Sequence, residues 1–211
     1  MEGLEKLHSK IIVPETLEGD SNNESVLVAR YFSEELQKRL PYVVGVIMQG
    51  SRFKGYSTPD SDLDLSILYD SEGLEYNSSE YWQRKKDLDE VIDEIKKEIE
   101  SKINIQILTF DVNDNVLTDN IKRERFADLS LLFSPGFGQD LKKFVRHWIE
   151  FVNNLPQQQK EKTIDKILDA LVEKEIERYM VRKLIRQDKI NNLKIARREL
   201  WHERLRSFGL V

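Results

Sequence analysis

Apolar residues recur along this chain with changing periods, and each change marks a change of predicted structure. Leu27, Val28, Tyr31, Phe32, Leu36 and Leu40 fall mostly at helical spacing behind Ser21-Asn22-Asn23-Glu24, a capping-box pattern. A helix is therefore predicted from about residue 22 to 39, ended by Pro41. Residues 42–49 are a continuous apolar run, rich in β-branched side chains, that reads as a buried strand. A second strand is expected over 62–69, closed by Asp70, Ser71 and Gly73. After a cap between Asn77 and Ser79, Trp82, Leu88, Val91, Ile92, Ile95 and Ile99 form one stripe of a long helix whose other sides are charged, a cover for the sheet. The alternation in Ile103-Asn104-Ile105-Gln106-Ile107-Leu108 then predicts a third strand with one face less apolar than the other.

Beyond Phe110 the signals weaken. Asp111 to Asn120 reads as a polar loop, Arg123 to Ser130 as a short helix or turn, and Leu131-Leu132-Phe133 as a short apolar segment closed by Ser134-Pro135-Gly136. From there the pattern is helical. Leu141, Phe144, Val145, Trp148 and Val152 make one stripe, Ile164, Ile167, Leu168, Leu171 and Val172 another, and Asn153-Asn154-Leu155-Pro156 separates them. Ile176 to Leu205 continues as helix, with a break expected near Asn191-Asn192. The composition shift near Gly136 divides the chain into a loosely packed lead-in over 1–20, an α+β domain over 21–136 and a helical domain over 137–211.

Composition narrows the class. With 34% charged and 39% hydrophobic residues, the chain has the balance of a globular protein and can bury a core at this length. No apolar run approaches the roughly 20 residues of a membrane helix, so no membrane partner is expected and the cytoplasm is the expected location. Having no cysteine excludes disulfides and thiolate metal sites. His8, His147 and His202 show no ligand spacing, so a metal here should be a hard cation held by oxygen. Charge is unevenly spread. From Arg178 to Arg206 there are ten basic and three acidic residues, a local +7 in a chain of −5, which leaves −12 for the rest. That surface suits RNA or an acidic partner, or it docks on the acidic α+β domain. His147, Trp148, Trp201 and His202 read as packing positions.

The chemistry lies between the first two strands. A Gly50-Ser51 turn at a strand end gathers backbone N–H groups and a hydroxyl around one point, which suits phosphate oxygens. Alternation puts Asp62 and Asp64 on the same face of the second strand, where both carboxylates can reach one hard cation such as Mg²⁺. Arg52 and Lys54 flank the turn and are candidate phosphate contacts.

At Gly50-Ser51-Arg52-Phe53-Lys54-Gly55 and Ser61-Asp62-Leu63-Asp64-Leu65 the sequence resembles the nucleotidyltransferase superfamily related to DNA polymerase beta, in particular its small bacterial members. The resemblance implies a mixed sheet flanked by helices and followed by a C-terminal helical domain. It further implies that Gly50 and Ser51 hold the triphosphate of a nucleoside triphosphate, ATP foremost, and that Asp62 and Asp64 hold Mg²⁺, with Mn²⁺ as a substitute. Transfer of a nucleoside monophosphate to an acceptor hydroxyl, with release of pyrophosphate, is the implied reaction. Members of this family usually carry a third carboxylate on the next strand, where this chain has the amides Asn104 and Gln106, weak ligands at best. Asp111 is the nearest acid downstream, on the Ile105 face of the strand. Two other functions are therefore kept in view: a nucleotide-binding regulator or antitoxin-like partner with impaired turnover, and an RNA-binding module using the basic helices.

Overall fold

The computed structural model describes residues 24–50, 61–99, 104–123, 125, 136–181 and 189–210. The lead-in, the capping box, and the segments expected over 126–133 lie outside the described residues. In chain order the elements are α1 (Glu24–Arg39), β1 (Val43–Gln49), β2 (Leu63–Tyr69), α2 (Ser79–Glu98), β3 (Ile105–Asp111), α3 (Asp114–Lys122), β4 (Gly136–Phe137), α4 (Leu141–Asn153), α5 (Gln157–Val181) and α6 (Ile190–Ser207). Among the described residues this is an α+β protein with one mixed sheet in the order β3-β2-β1-β4. β1 runs antiparallel to β2 and β4, while β3 is parallel to β2, as the long crossover through α2 requires.

The two faces of the sheet are covered by different helices. On one face, Val43, Val46 and Met48 of β1 and Leu63, Leu65 and Ile67 of β2 pack with Phe32 and Leu36 of α1 and Leu88, Ile92 and Ile95 of α2. Three residues of the expected helical stripes, Leu27, Tyr31 and Trp82, face outward instead. Tyr31 is exposed and donates its hydroxyl hydrogen to Glu98 at 3.0 Å, and Trp82 is half exposed while Tyr81 is buried. The inward positions of α2 step through 81, 88, 92 and 95, and residue 82 is rotated away by one residue's turn of the helix.

The other face carries Val44, Ile47 and Leu68, which join Leu117 and Ile121 of α3 and Leu141, Phe144 and Trp148 of α4 in one core. That core continues through Ile167 and Leu171 of α5 to Trp201 and Leu205 of α6. Where a polar loop was expected, Asp114–Lys122 is helical. Asn113 caps it by accepting from the N–H of Asn115 at 3.0 Å, and Leu117 and Ile121, four residues apart, bury a single narrow seam. The break expected near Asn191-Asn192 falls just before them: α5 runs to Val181 and α6 starts at Ile190, with both asparagines in its first turn. Trp201 is buried and its indole N–H donates to Glu175 of α5 at 3.0 Å, a docking contact between the two helices.

A bulge in β1 sets which residues face which core. Val43 pairs with Tyr69 and Gly45 with Leu68, so Val44 is one residue extra on β1. The Gln37 side-chain amide donates to the carbonyls of Val43 and Val44 at 3.2 and 3.1 Å, which satisfies backbone groups in the bulged segment. At the far end of β3, Asp111 is buried, with its Oδ1 accepting from the N–H groups of Ser71 at 3.2 Å and Asn113 at 3.0 Å. Its Oδ2 has no hydrogen-bond partner among the described residues.

Burial pushes the Asp111 carboxyl above the ordinary aspartate value, only partly offset by the hydrogen bonds from Ser71 and Asn113. A raised folded-state pKa favours folding while the group is protonated in both states, and that contribution is lost as pH rises through the folded value. Asp111→Asn keeps an oxygen for the two N–H groups and cannot ionise. Urea unfolding of both proteins at pH about 4 and at pH 7 should show the variant gaining on the wild type toward neutral pH. A difference that does not change with pH contradicts this assignment.

Candidate active site

Leu63, Leu65 and Ile67 are fully buried against α1 and α2, so the period of two along β2 turns Asp62, Asp64 and Ser66 to the opposite face. The register then brings neighbours to them. Gln49, the last residue of β1, lies opposite Asp64 on one side, and Gln106 of β3 lies opposite it on the other. Asn104 precedes β3 beside Asp62, and its carbonyl accepts from the N–H of Leu63 at 2.8 Å.

Gly50 follows Gln49 directly and is pressed against Asp64. Its φ is 68°, a left-handed conformation, and a β-carbon built there would lie 1.6 Å from Asp64 Oδ2 and 2.6 Å from its Cγ. The position therefore excludes side chains twice, by backbone conformation and by the carboxylate it contacts. The sequence suggested a glycine for the turn. Its direct contact with Asp64 is visible only once the strands are paired.

Asp62 is held from β3. Asn104 Nδ2 donates to its Oδ1 at 2.9 Å, and Gln106 Nε2 donates to its Oδ2 in a short contact. Next to them, the Gln49 amide donates to the buried Ser66 hydroxyl at 2.6 Å. Leu108, two residues beyond Gln106 on the same face, is 68% exposed, an apolar side chain on the edge strand. Both aspartates are half-buried. Ser51, Arg52 and Lys54 lie outside the described residues.

Asp111 does not complete the pair. It sits on the Ile105 face, five residues past Gln106, which at about 3.3 Å per residue is roughly 16 Å along the strand, and it is committed to the loop bonds described above. Among the described residues no three His, Asp or Glu side chains come together as a metal cluster. Two carboxylates with oxygen ligands still suit one hard divalent cation that also binds phosphate oxygens and water.

The basic C-terminal helix meets acids of its own region. Arg198 pairs with Asp165 at 2.8 Å and with Asp169, and Arg197 with Glu175 at 3.6 Å, all on α5, while Arg206 pairs with Glu203 within α6. The charge asymmetry is thus partly used in holding α6 to α5. Exposed pairs of this kind contribute at most about 1 kcal/mol each, and the buried Trp201 contact anchors the helix more firmly. His147 Nε2 lies 2.7 Å from Asp114 Oδ1, joining α4 to α3 on the surface. No described helix is long and apolar enough to cross a membrane.

Replacing Gly50 by alanine should displace the Asp64 carboxylate while leaving the sheet intact. The expected result is a loss of about 1–2 kcal/mol of stability from the left-handed backbone, together with at least tenfold weaker binding of Mg²⁺-nucleotide. Thermal unfolding and calorimetry separate the two effects. Undiminished binding in a folded Gly50→Ala protein would show that Asp64 is not part of the binding site.

The arrangement has a counterpart among known families. Residues 33–126 match the family described as polymerase beta, nucleotidyltransferase, a span that holds the C-terminal part of α1, the three principal strands, α2 and α3. No curated protein and no solved structure matches the chain. The Gly50 turn and the Asp62–Asp64 pair lie inside the matched span, so residues 33–126 of this chain are similar to the nucleotidyltransferase domain of the polymerase beta family.

Proposed function

We propose that the cleft formed by Gly50, Asp62 and Asp64 binds a nucleoside triphosphate with Mg²⁺ and transfers its nucleoside monophosphate to an acceptor hydroxyl. The observation that supports this reading is the contact between Gly50 and Asp64, which sets the backbone at the end of β1 beside one of two same-face carboxylates. Asp62 and Asp64 would hold the cation, and Gly50 with Ser51 the triphosphate. A bound Mg²⁺ neutralises charge on the phosphate oxygens and on the departing pyrophosphate. The chain's own part is mostly positioning: the buried leucines of β2 fix the carboxylates, and the turn fixes the phosphates relative to them. In the reaction, the acceptor oxygen bonds to the α-phosphorus as the bond to the β-phosphate oxygen breaks. The acceptor's proton passes to solvent, because β3 presents amides and not a carboxylate beside the pair.

A second reading has its own support. β3 sets amides and not a carboxylate beside the pair, both donating to Asp62, so no side chain on that strand can take the acceptor's proton. Under that reading the protein is a nucleotide-binding regulator or antitoxin-like partner.

Calorimetry of Mg²⁺ with ATP should show binding to the wild type that falls at least tenfold in the Asp62→Ala, Asp64→Ala double variant. No binding to the wild type, or equal binding to both, would sink the common premise. Pyrophosphate release with Mn²⁺ and labelled nucleoside triphosphates then separates the readings. Slow release abolished by Asp64→Ala supports the transferase, and tight binding without release supports the regulator.

A further inference from the structure

The geometry points to a cleft that takes one divalent cation and not two, with Asn104 and Gln106 as the positioning residues that set this number. The inference rests on the reading of Asp62 and Asp64 as cation ligands. Charge is the first ground. The pair carries −2, which one divalent cation neutralises, and β3 adds no acid on that face. Asp111, the only acid on the strand, is buried on the other face and bound to the loop.

Donor direction is the second ground. Asn104 Nδ2 donates to Asp62 Oδ1, and Gln106 Nε2 to Asp62 Oδ2. A carboxylate offers about four lone-pair sites, and two of them are filled here from the β3 side. A cation placed between Asp62 and β3 would face amide hydrogens. Turning either amide over would bring its oxygen against the carboxylate, two acceptors facing each other, with no added negative charge to recompense a second cation. The amide dipoles thus supply the positive pole on that side of Asp62, and its remaining lone pairs, with Asp64, face one cation on the Gly50 side.

Two-cation sites place their ions about 3.5–4 Å apart and need a carboxylate able to bridge them. Here the residue opposite Asp64 that could share such a load is Gln106. Its exposure leaves room for glutamate at the same position. Gln106→Glu removes one donor from Asp62 and adds a charge, so it should open the second position.

Equilibrium dialysis against Mn²⁺ and a non-hydrolysable ATP analogue counts both species on the protein. The expected ratio is one protein-bound Mn²⁺ per bound nucleotide in the wild type and two in Gln106→Glu, where the Mn²⁺ resonance should also broaden by coupling between neighbouring ions. Asn104→Asp, which adds charge without altering Gln106, should shift the ratio the same way. Two ions per nucleotide in the wild type would overturn the inference while leaving nucleotide binding intact. A ratio of one in both variants, each folded by circular dichroism, would overturn the role given to the amides. No nucleotide bound to any of the three proteins would overturn the cation-site reading itself, and the inference with it.

Discussion

The constraint on which this structure depends is the phase of two adjacent strands. β2 must bury Leu63, Leu65 and Ile67 against α1 and α2, and with a period of two this leaves Asp62 and Asp64 no choice of face. β1 must agree with it. The extra residue at Val44 shifts the alternation of β1 so that Val43, Val46 and Met48 reach one core while Val44 and Ile47 reach the other. Gln49 then lies opposite Asp64, and Gly50 can close on the carboxylate. Gln37 holds this phase by bonding the carbonyls at the bulge. The site is therefore a by-product of core packing: polar residues are brought together because apolar ones on the other face have been satisfied.

The same logic explains why the other face of the sheet is only partly covered. Val44, Ile47 and Leu68 are sealed by α3 and α4, and through them by the C-terminal helices. Beside the half-buried Asp62 and Asp64, Asn104, Gln106 and Leu108 at the β3 edge are exposed. A rigid floor with an open side is what the proposed triphosphate site requires. The exposed Leu108 adds apolar surface next to the polar residues.

Much of this was legible in the sequence because the strongest signals are periodic and local. The buried strand over 43–49, the acids alternating with leucines, and the stripes of α4 and α5 all come from side chains that must share a face. What was not legible depends on partners distant in the chain or on weak seams. α3 buries Leu117, Asn120 and Ile121 among mostly polar residues, too little for a periodic signal, although Asn113-Asp114 was a readable cap. Trp82 was placed inside because it is large and apolar, while the inward position belongs to Tyr81, whose hydroxyl lies 3.2 Å from that of Tyr69. Asn104 and Gln106 were readable as neutral amides, but their grip on Asp62 follows only from the parallel register of β3 on β2. The contact of Gly50 with Asp64 likewise requires knowing that β1 and β2 are neighbours.

The central claim is that Asp62, Asp64 and the Gly50 turn form one metal-nucleotide site. A crystal structure grown with Mn²⁺ and a non-hydrolysable ATP analogue, phased on the anomalous signal of the manganese, tests it most directly. An anomalous peak is expected at bonding distance, about 2.0–2.2 Å, from oxygens of both aspartates, with the triphosphate against the Gly50 backbone. Nucleotide bound elsewhere on the chain, or manganese that avoids both carboxylates, would contradict it.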